Sequence, residues 1–224
     1  ISEIYNDDPQ GLTTLMNNFL TPMTNAIIES NGTIDKYIGD AIMAYWGPPF
    51  TADADQARLA SIAALDMLEI VPQLRNELPE LLGVRNLPAP FDIRIGIATG
   101  EVLVGSIGSE LMMSYTVMGD TVNLASRLEG ANKAYGSRIL VSEATVASAA
   151  AHIEVREIDR IVMVGQTEPQ AVFEIMGRKG TLTPSQIALR DHYSDGLAAY
   201  RARRWDDARR AFAAALAAVS DDGP

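Results

Sequence analysis

The sequence TIDKYIGDAIMAY, residues 33–45, predicts a β-hairpin and decides how the rest of the chain is interpreted. Gly39-Asp40 is a dipeptide typical of tight hairpin turns, and isoleucines on both sides supply apolar anchors. A carboxylate at such a turn can face solvent and bind a hard cation through oxygen. The ammonium of Lys36, four residues earlier, can donate to a base edge or a phosphate. Taken alone, the stretch is explained equally well by an ordinary surface hairpin.

Two further motifs give this hairpin a context. They are RIGIATGEVLVGSIGS, residues 94–109, and YTVMGDTVNLASRLE, residues 115–129. Together with DKYIGDAIMAYWG, residues 35–47, they resemble the catalytic domain of the class III nucleotidyl cyclases, the adenylate and guanylate cyclases. Several long motifs in the right order are far more specific than a single glycine pattern. The resemblance covers residues 1–177.

Composition and charge exclude several classes of protein. A chain of 224 residues with 47 % apolar and 21 % charged residues can bury a real core, which argues against disorder. Acidic residues exceed basic ones by 29 to 18, and the net charge of −11 argues against nucleic acid as a main partner. With no cysteine there is no disulfide framework, which fits a cytoplasmic protein. No apolar run has the length of a membrane span, and the start lacks the basic region of a signal peptide.

Alternating helical and strand patterns predict an α+β fold, an α/β sandwich. The resemblance implies a cyclase-like arrangement with a ferredoxin-like sheet core and helices. Helical spacing over residues 11–30 predicts the first helix, and Thr51 or Asp53 is expected to cap the second. Residues 79–90 are expected to form a loop, and Asp120 is expected to cap the helix that follows the strand at residue 117.

The character of the sequence changes after residue 177. Residues 181–219 contain two helical patterns joined near Arg204-Trp205, with the small and aromatic spacing of one tetratricopeptide-like repeat. The family resemblance does not extend to this part. We therefore expect a catalytic domain over residues 1–177 and a C-terminal helical hairpin over residues 178–224. That hairpin would pack on the catalytic domain, on its twin in a dimer, or on further repeats.

The resemblance implies a specific reaction. The ribose 3′-hydroxyl of a nucleoside triphosphate attacks its own α-phosphate and releases pyrophosphate. Two metal ions, Mg²⁺ or Mn²⁺, serve this chemistry in the family. The family's site lies between two catalytic domains, so a homodimer would carry two equivalent sites. The function implied for this chain is that of an adenylate cyclase, which makes 3′,5′-cyclic AMP from ATP.

The resemblance also assigns roles to single residues. Asp40 matches a metal ligand, while Lys36 and Thr116 match the pair that reads the purine. Asn123 and Arg127 match the residues that position the ribose and stabilise the transition state, and their spacing places them on one face of a helix. An ammonium donates to N1 of adenine, and a hydroxyl can accept from its 6-amino group. Guanine presents the opposite pattern, so the pair favours ATP.

Two departures from the family pattern matter. The family's other metal-binding aspartate lies in a strand that we expect upstream of Ile1. Val164 stands where the family usually has a lysine that contacts the triphosphate, and Gln166 occupies a second frequent lysine position. A valine cannot donate to a phosphate, and the loss of such a contact costs about 2–4 kcal/mol of transition-state stabilisation. Lys133 and Arg138 are candidates to replace it.

These departures leave a second hypothesis open. The chain would then be a degenerate cyclase-like module that dimerises or binds nucleotide with little or no turnover. A guanylate cyclase is a weaker third hypothesis, because Lys36 disfavours guanine. Cyclases of this type often carry sensor or membrane modules upstream, and such a module is expected as a partner here.

Overall fold

The computed structural model describes residues 9–83, 85, 91–162 and 169–224. In chain order its elements are α1 (Pro9–Glu29), β1 (Thr33–Ile38), β2 (Ala41–Tyr45), α2 (Gln56–Leu81), β3 (Ile95–Ile97), β4 (Leu103–Ser109), β5 (Met112–Met118), α3 (Asp120–Tyr135), β6 (Ile139–Ser142), α4 (Glu143–Ala149), β7 (Ile153–Ile161), β8 (Gln170–Arg178), α5 (Pro184–Arg201) and α6 (Trp205–Ala218). This mixture of helices and strands confirms the predicted α+β class.

The chain divides into two compact units. The first comprises the chain up to Ile93 together with Leu103–Val117, and the second comprises Arg94–Val102 and Met118–Pro224. Across the described ranges, none of the helices combines the length and the apolar character that crossing a membrane would require.

The first unit contains two packed helices and two β-hairpins. Helix α1 buries Phe19 and Met23 on one stripe, and the ring of Phe19 meets that of Phe91 edge-on at 5.6 Å between centroids. Strands β1 and β2 pair antiparallel and form the predicted hairpin, with Gly39 at a φ of 62° in the turn. Strands β4 and β5 form the second hairpin.

Both ends of helix α2 differ from the sequence-based expectation. A short 3₁₀ turn precedes the helix and its N-cap is Asp55, so neither Thr51 nor Asp53 caps it. The hydroxyl of Thr51 instead donates to the carbonyl oxygen of Asn31 at 2.9 Å, a contact that the local sequence does not reveal. At the other end the helix continues through Pro79, because the apolar stripe beneath the last turns stays buried. Tertiary packing thus overrides the proline signal.

The expected cap of helix α3 is also wrong by one residue. Gly119 is the N-cap and has no side chain with which to cap, and Asp120 is the first helical residue. The carboxylate nevertheless lies in the first turn, where the helix dipole favours negative charge.

The second unit is built on a four-stranded sheet with the order β3-β6-β8-β7. Strands β3 and β6 are parallel, and α3 lies in the crossover between them, whereas β8 runs antiparallel to both of its neighbours. Leu128 of α3 packs in a fully buried cluster with Leu140, Ile158 and Val172 from the sheet. One face of α3 is therefore buried against the sheet.

Helix α3 approaches strand β3 so closely that no side chain fits between them at Gly96. A Cβ atom on Gly96 would overlap the carbonyl oxygen of Ala125 and the backbone nitrogen of Glu129. Further along the helix, the fully buried Asn132 donates its amide to the carbonyl oxygen of Ile95 at 3.0 Å. Steric fit and a buried hydrogen bond together fix the position of α3 on the sheet.

The C-terminal helices α5 and α6 form the predicted pair. Gly196 lies under the ring of Phe212, where a Cβ atom would come within 2.7 Å of the ring. The ring of Tyr193 meets the same phenylalanine edge-on at 5.3 Å between centroids. The small residue and the two aromatic residues thus account for the close pairing of the helices.

This helical pair packs on the sheet of its own chain. The hydroxyl of Tyr193 donates to the carbonyl oxygen of Ile158 on β7 at 3.0 Å. Beside it, Arg156 is only 3 % exposed and forms ion pairs of 2.6 Å with Glu174 on β8 and with Asp222 in the C-terminal segment. Burial raises the pKa of Glu174, against the lowering influence of Arg156.

Two further carboxylates of β7 bind the helical pair. Glu154 accepts a hydrogen bond from the backbone N–H of Gly180 and pairs with Arg190 at 3.1 Å; the hydrogen bond and the nearby cations lower its pKa. For Glu157, burial is the largest single influence and raises the pKa, but Arg201, paired at 2.7 Å, and Arg160 together outweigh it and the pKa is lowered. These two ion pairs add to the attachment of α5 only while their carboxylates are ionised.

We predict that Gly96→Ala destabilises the second unit by at least about 2 kcal/mol, because the added methyl group must push α3 away from β3. Urea unfolding followed by circular dichroism measures this. The matched control is Gly130→Ala on the same helix, where no atom lies within 4 Å of the new Cβ. Alanine in a helix should stabilise that variant by about 0.5–1 kcal/mol. Equal stability of the two variants would contradict the close approach.

We predict that the advantage of wild type over Glu157→Gln depends on pH. A lowered pKa means that the carboxylate stabilises the fold above its unfolded pKa of about 4.3 and loses this effect as pH falls through the folded value. The wild type should therefore be about 1 kcal/mol more stable at pH 6, and the two proteins should converge near pH 3. Urea titrations across that range measure it. The control Glu110→Gln replaces an exposed carboxylate between β4 and β5, and an identical pH profile for both variants would refute the assignment.

Candidate active site

Lys36 on β1 and Thr116 on β5 lie together, although 80 residues separate them in the chain. The Lys36 ammonium donates to the Thr116 hydroxyl at 3.1 Å between Nζ and Oγ1. Thr116 is buried, whereas the Lys36 side chain is 44 % exposed. A lysine anchored at its tip but open to solvent can still reach a ligand with its remaining hydrogens. The pair that the sequence nominated for base reading is thus assembled within the first unit.

A third residue, Asp35, completes this network and was missed by the sequence-based reasoning. Its carboxylate accepts from the Thr116 hydroxyl and from the backbone N–H of Val117, each at 3.0 Å, and lies 3.2 Å from the Lys36 ammonium. The Asp35 side chain is only 1 % exposed. A buried carboxylate is costly unless it is paired and hydrogen-bonded, and here it has three donors.

A β-bulge explains how two consecutive strand residues reach the same place. Ile34 pairs with Ala44 and Lys36 pairs with Met43, so that Asp35 is the extra residue of β1. In a regular strand, neighbouring side chains point to opposite faces, whereas a bulge redirects one of them. One signal in the sequence could have found it, because aspartate is depleted in strands and here interrupts an apolar one.

Asp40, the predicted metal ligand, is exposed at the turn between β1 and β2. Within the described ranges there is no group of three or more carboxylate, histidine or cysteine side chains that could hold a metal ion by themselves. Mg²⁺ commonly takes one or two protein carboxylates and completes its shell with substrate phosphates and water. A single exposed carboxylate fits that mode of binding, with Asp40 as the oxygen donor from this part of the chain.

Asn123 and Arg127 lie four residues apart on α3, and both are exposed. The side of the helix that packs on the sheet carries the buried Leu128 and the partly buried Leu124. The two polar side chains therefore share the outward face that the sequence predicted. They belong to the second unit, whereas Lys36, Thr116 and Asp40 belong to the first.

Val164 and Gln166, which stand where the family frequently has lysines, lie outside the described residues. The two candidate substitutes, Lys133 and Arg138, lie at or beyond the last turn of α3. Asn123 is in the first turn of that helix, so its Cα is about 15 Å along the axis from that of Lys133. Lys133 is therefore not placed beside Asn123.

Comparison with known proteins gives this geometry a family context. The family model described as "Adenylate and Guanylate cyclase catalytic domain" matches residues 2–177. Adenylate cyclase 1 of Rhizobium meliloti is 32 % identical over 173 residues, which cover 75 % of this chain and 24 % of that protein. An adenylate cyclase of Anabaena cylindrica is 36 % identical over 171 residues, covering 75 % of this chain and 33 % of the relative. The chain thus spans a quarter to a third of the length of these curated relatives.

Solved structures show the same fold. The crystal structure of the adenylyl cyclase CyaB from P. aeruginosa superposes with a TM-score of 0.69 at 31 % identity, over 79 % of this chain and 87 % of that one. A guanylyl cyclase structure superposes with a TM-score of 0.67 at 28 % identity, over 79 % and 85 % of the respective chains. These neighbours confirm the expected cyclase-like fold and include both nucleotide specificities.

Proposed function

Since the chain belongs to the family of adenylate and guanylate cyclase catalytic domains, we propose that it is an adenylate cyclase that converts ATP to 3′,5′-cyclic AMP and pyrophosphate. The observation that carries the proposal is the 3.1 Å contact between Lys36 Nζ and Thr116 Oγ1. The ammonium offers a donor to N1 of adenine, and the hydroxyl offers an acceptor to its 6-amino group. The adenylate cyclases among its relatives support the same substrate.

The remaining side chains have complementary tasks in this proposal. The Asn123 amide orients the ribose, so that its 3′-hydroxyl points at the α-phosphate. The Arg127 guanidinium stabilises the negative charge that builds on that phosphate as the bond to the leaving pyrophosphate breaks. Asp40 would hold Mg²⁺ or Mn²⁺, which, when bound, neutralises phosphate charge and makes the attacking hydroxyl more acidic.

A homodimer is part of the proposal, because the family's site is shared between two catalytic domains. The β4–β5 hairpin supports it with a group of large apolar side chains that are exposed in the single chain. We call this group the apolar ribbon; it consists of Leu103, Leu111, Met112, Met113 and Tyr115. Leu111 is the extreme case at 98 % exposure. Large apolar side chains left exposed in such number on one hairpin indicate an interaction surface, and a twin chain is the partner that the family context favours.

Two competing functions make different predictions. Val164, in place of the family's lysine, favours a nucleotide-binding module without turnover. Such a module would bind ATP but release neither cyclic AMP nor pyrophosphate. A guanylate cyclase would instead turn over GTP faster than ATP. Assays of both nucleotides with Mn²⁺ over a range of protein concentrations separate the three functions.

We predict that Asp40→Ala lowers kcat/KM for cyclic AMP formation by at least about 100-fold, which corresponds to about 2.7 kcal/mol. The variant removes the carboxylate of the β1–β2 turn, which the proposal assigns to the metal ions. The control is Asp53→Ala, which removes another exposed carboxylate of the first unit. Unchanged activity of Asp40→Ala, with the control also active, would refute the metal role.

We predict that Leu111→Asp combined with Met112→Asp weakens dimerisation at least tenfold, because burying the two carboxylates in an apolar interface is unfavourable. Sedimentation velocity measures the dimer, and specific activity should fall at low protein concentration and recover at high concentration. Phe50→Asp is the control, since Phe50 is exposed on the same unit but outside the apolar ribbon. A double variant that dimerises like wild type would exclude this surface.

A further inference from the structure

We propose that Asp35 determines the nucleotide preference of this chain, by forcing the Thr116 hydroxyl to act as a hydrogen-bond acceptor toward the base. The inference rests on the proposed nucleotide site and adds a specificity-determining residue to it. Asp35 acts through Thr116 and Lys36, so it is a positioning residue.

The direction of the hydroxyl hydrogen follows from the chemistry of its two neighbours. The Lys36 ammonium can only donate, so Thr116 Oγ1 must accept from it across 3.1 Å. The Asp35 carboxylate can only accept, so the single hydroxyl hydrogen of Thr116 must point to it across 3.0 Å. The hydroxyl is thereby left with one unused lone pair and no hydrogen to offer a ligand.

The surroundings of Asp35 keep this arrangement in place. Its second oxygen accepts from the backbone N–H of Val117 at 3.0 Å, and the bulge in β1 directs the carboxylate inward. With the side chain 1 % exposed, water does not compete for its lone pairs. The carboxylate also lies 3.2 Å from the Lys36 ammonium, so one of the three ammonium hydrogens faces Asp35 and one faces Thr116. One hydrogen remains for a ligand.

The network therefore presents one donor and one acceptor side by side. Adenine matches them with the bare N1 and the 6-amino group. Guanine would set its N1–H against the ammonium and its O6 against the lone pair of Thr116. A site built around such hydrogen bonds discriminates strongly, because the wrong ligand leaves polar groups unpaired.

The test is Asp35→Asn, whose amide has nearly the same shape as the carboxylate. The backbone N–H of Val117 requires the amide oxygen on its side, which turns the NH₂ group toward Thr116 Oγ1. That group donates to Thr116 and releases the hydroxyl hydrogen, which can then reach O6 of guanine. We expect the ratio of affinities for ATP and GTP analogues to fall at least tenfold, with the same change in the ratio of kcat/KM values.

A second substitution separates this role from a merely structural one. In the Thr116→Val background there is no hydroxyl to orient, so Asp35→Asn should change the ATP-to-GTP ratio less than threefold. An equal change in both backgrounds, or no change in either, overturns the proposal. Asp92→Asn is the matched control, because it removes a 3.0 Å ion pair with Arg75 in the same unit but does not contact Lys36 or Thr116. It should leave the ratio unaltered.

The readouts separate failure of this inference from failure of the proposed function. Calorimetric binding of 3′-deoxy-ATP and 3′-deoxy-GTP, which lack the attacking hydroxyl, measures selectivity without turnover. A chain that binds the ATP analogue selectively through Asp35 but forms no cyclic AMP would refute the cyclase and support the inference. Cyclic AMP formation with selectivity unchanged in Asp35→Asn would do the reverse, and a chain that binds neither analogue would refute both. If Asp35→Asn does not fold by circular dichroism, Asp35→Ala carries the same expectation, because it too removes the acceptor.

Discussion

The contact of helix α3 with strand β3 at Gly96 is the constraint on which the second unit depends. Backbone meets backbone there, so the height and rotation of the helix are set by atoms that have no rotamer freedom. Asn132 adds a buried hydrogen bond at the far end of the same helix. Because Leu128 is buried against the sheet, the rotation of the helix about its axis is fixed. Asn123 and Arg127 then lie on its exposed side. This exposed face is therefore positioned by the same contacts that hold the helix on the sheet.

In the first unit, hydrogen bonds rather than backbone packing fix the relative position of the two hairpins. There the constraint is polar, because a buried carboxylate on the first hairpin must be matched with donors on the second. If the hairpins moved apart, Asp35 would lose the Thr116 hydroxyl and the Val117 N–H, and unsatisfied buried groups are costly. The network therefore couples the relative position of β1 and β5 to the orientation of Thr116. In the proposal made for Asp35, the same network would also set the nucleotide selectivity of this unit.

Local signals in the sequence predicted local structure well. The Gly39-Asp40 turn, the strands on either side and the pair of C-terminal helices needed only neighbouring residues to be specified. The misplaced cap of α2 and the helical conformation of Pro79 depend on tertiary contacts: Thr51 bonds to Asn31, and Leu74 and Leu78 stay buried beneath the end of α2. The family resemblance nominated Lys36 and Thr116, but it did not nominate Asp35. Its role depends on a bulge and on partners about 80 residues away, which periodicity and spacing do not reveal.

The buried guanidinium of Arg156 joins the segment that matches the family to the residues that follow it. One of its carboxylate partners, Glu174, lies inside the segment that matches the family, and the other, Asp222, lies beyond it. Recombination at residue 177 would transfer a catalytic segment without half of its ion-pair network, and breaking a buried pair costs about 3–5 kcal/mol. The C-terminal segment is thus part of the buried electrostatics of the catalytic sheet, although it lies outside the family match.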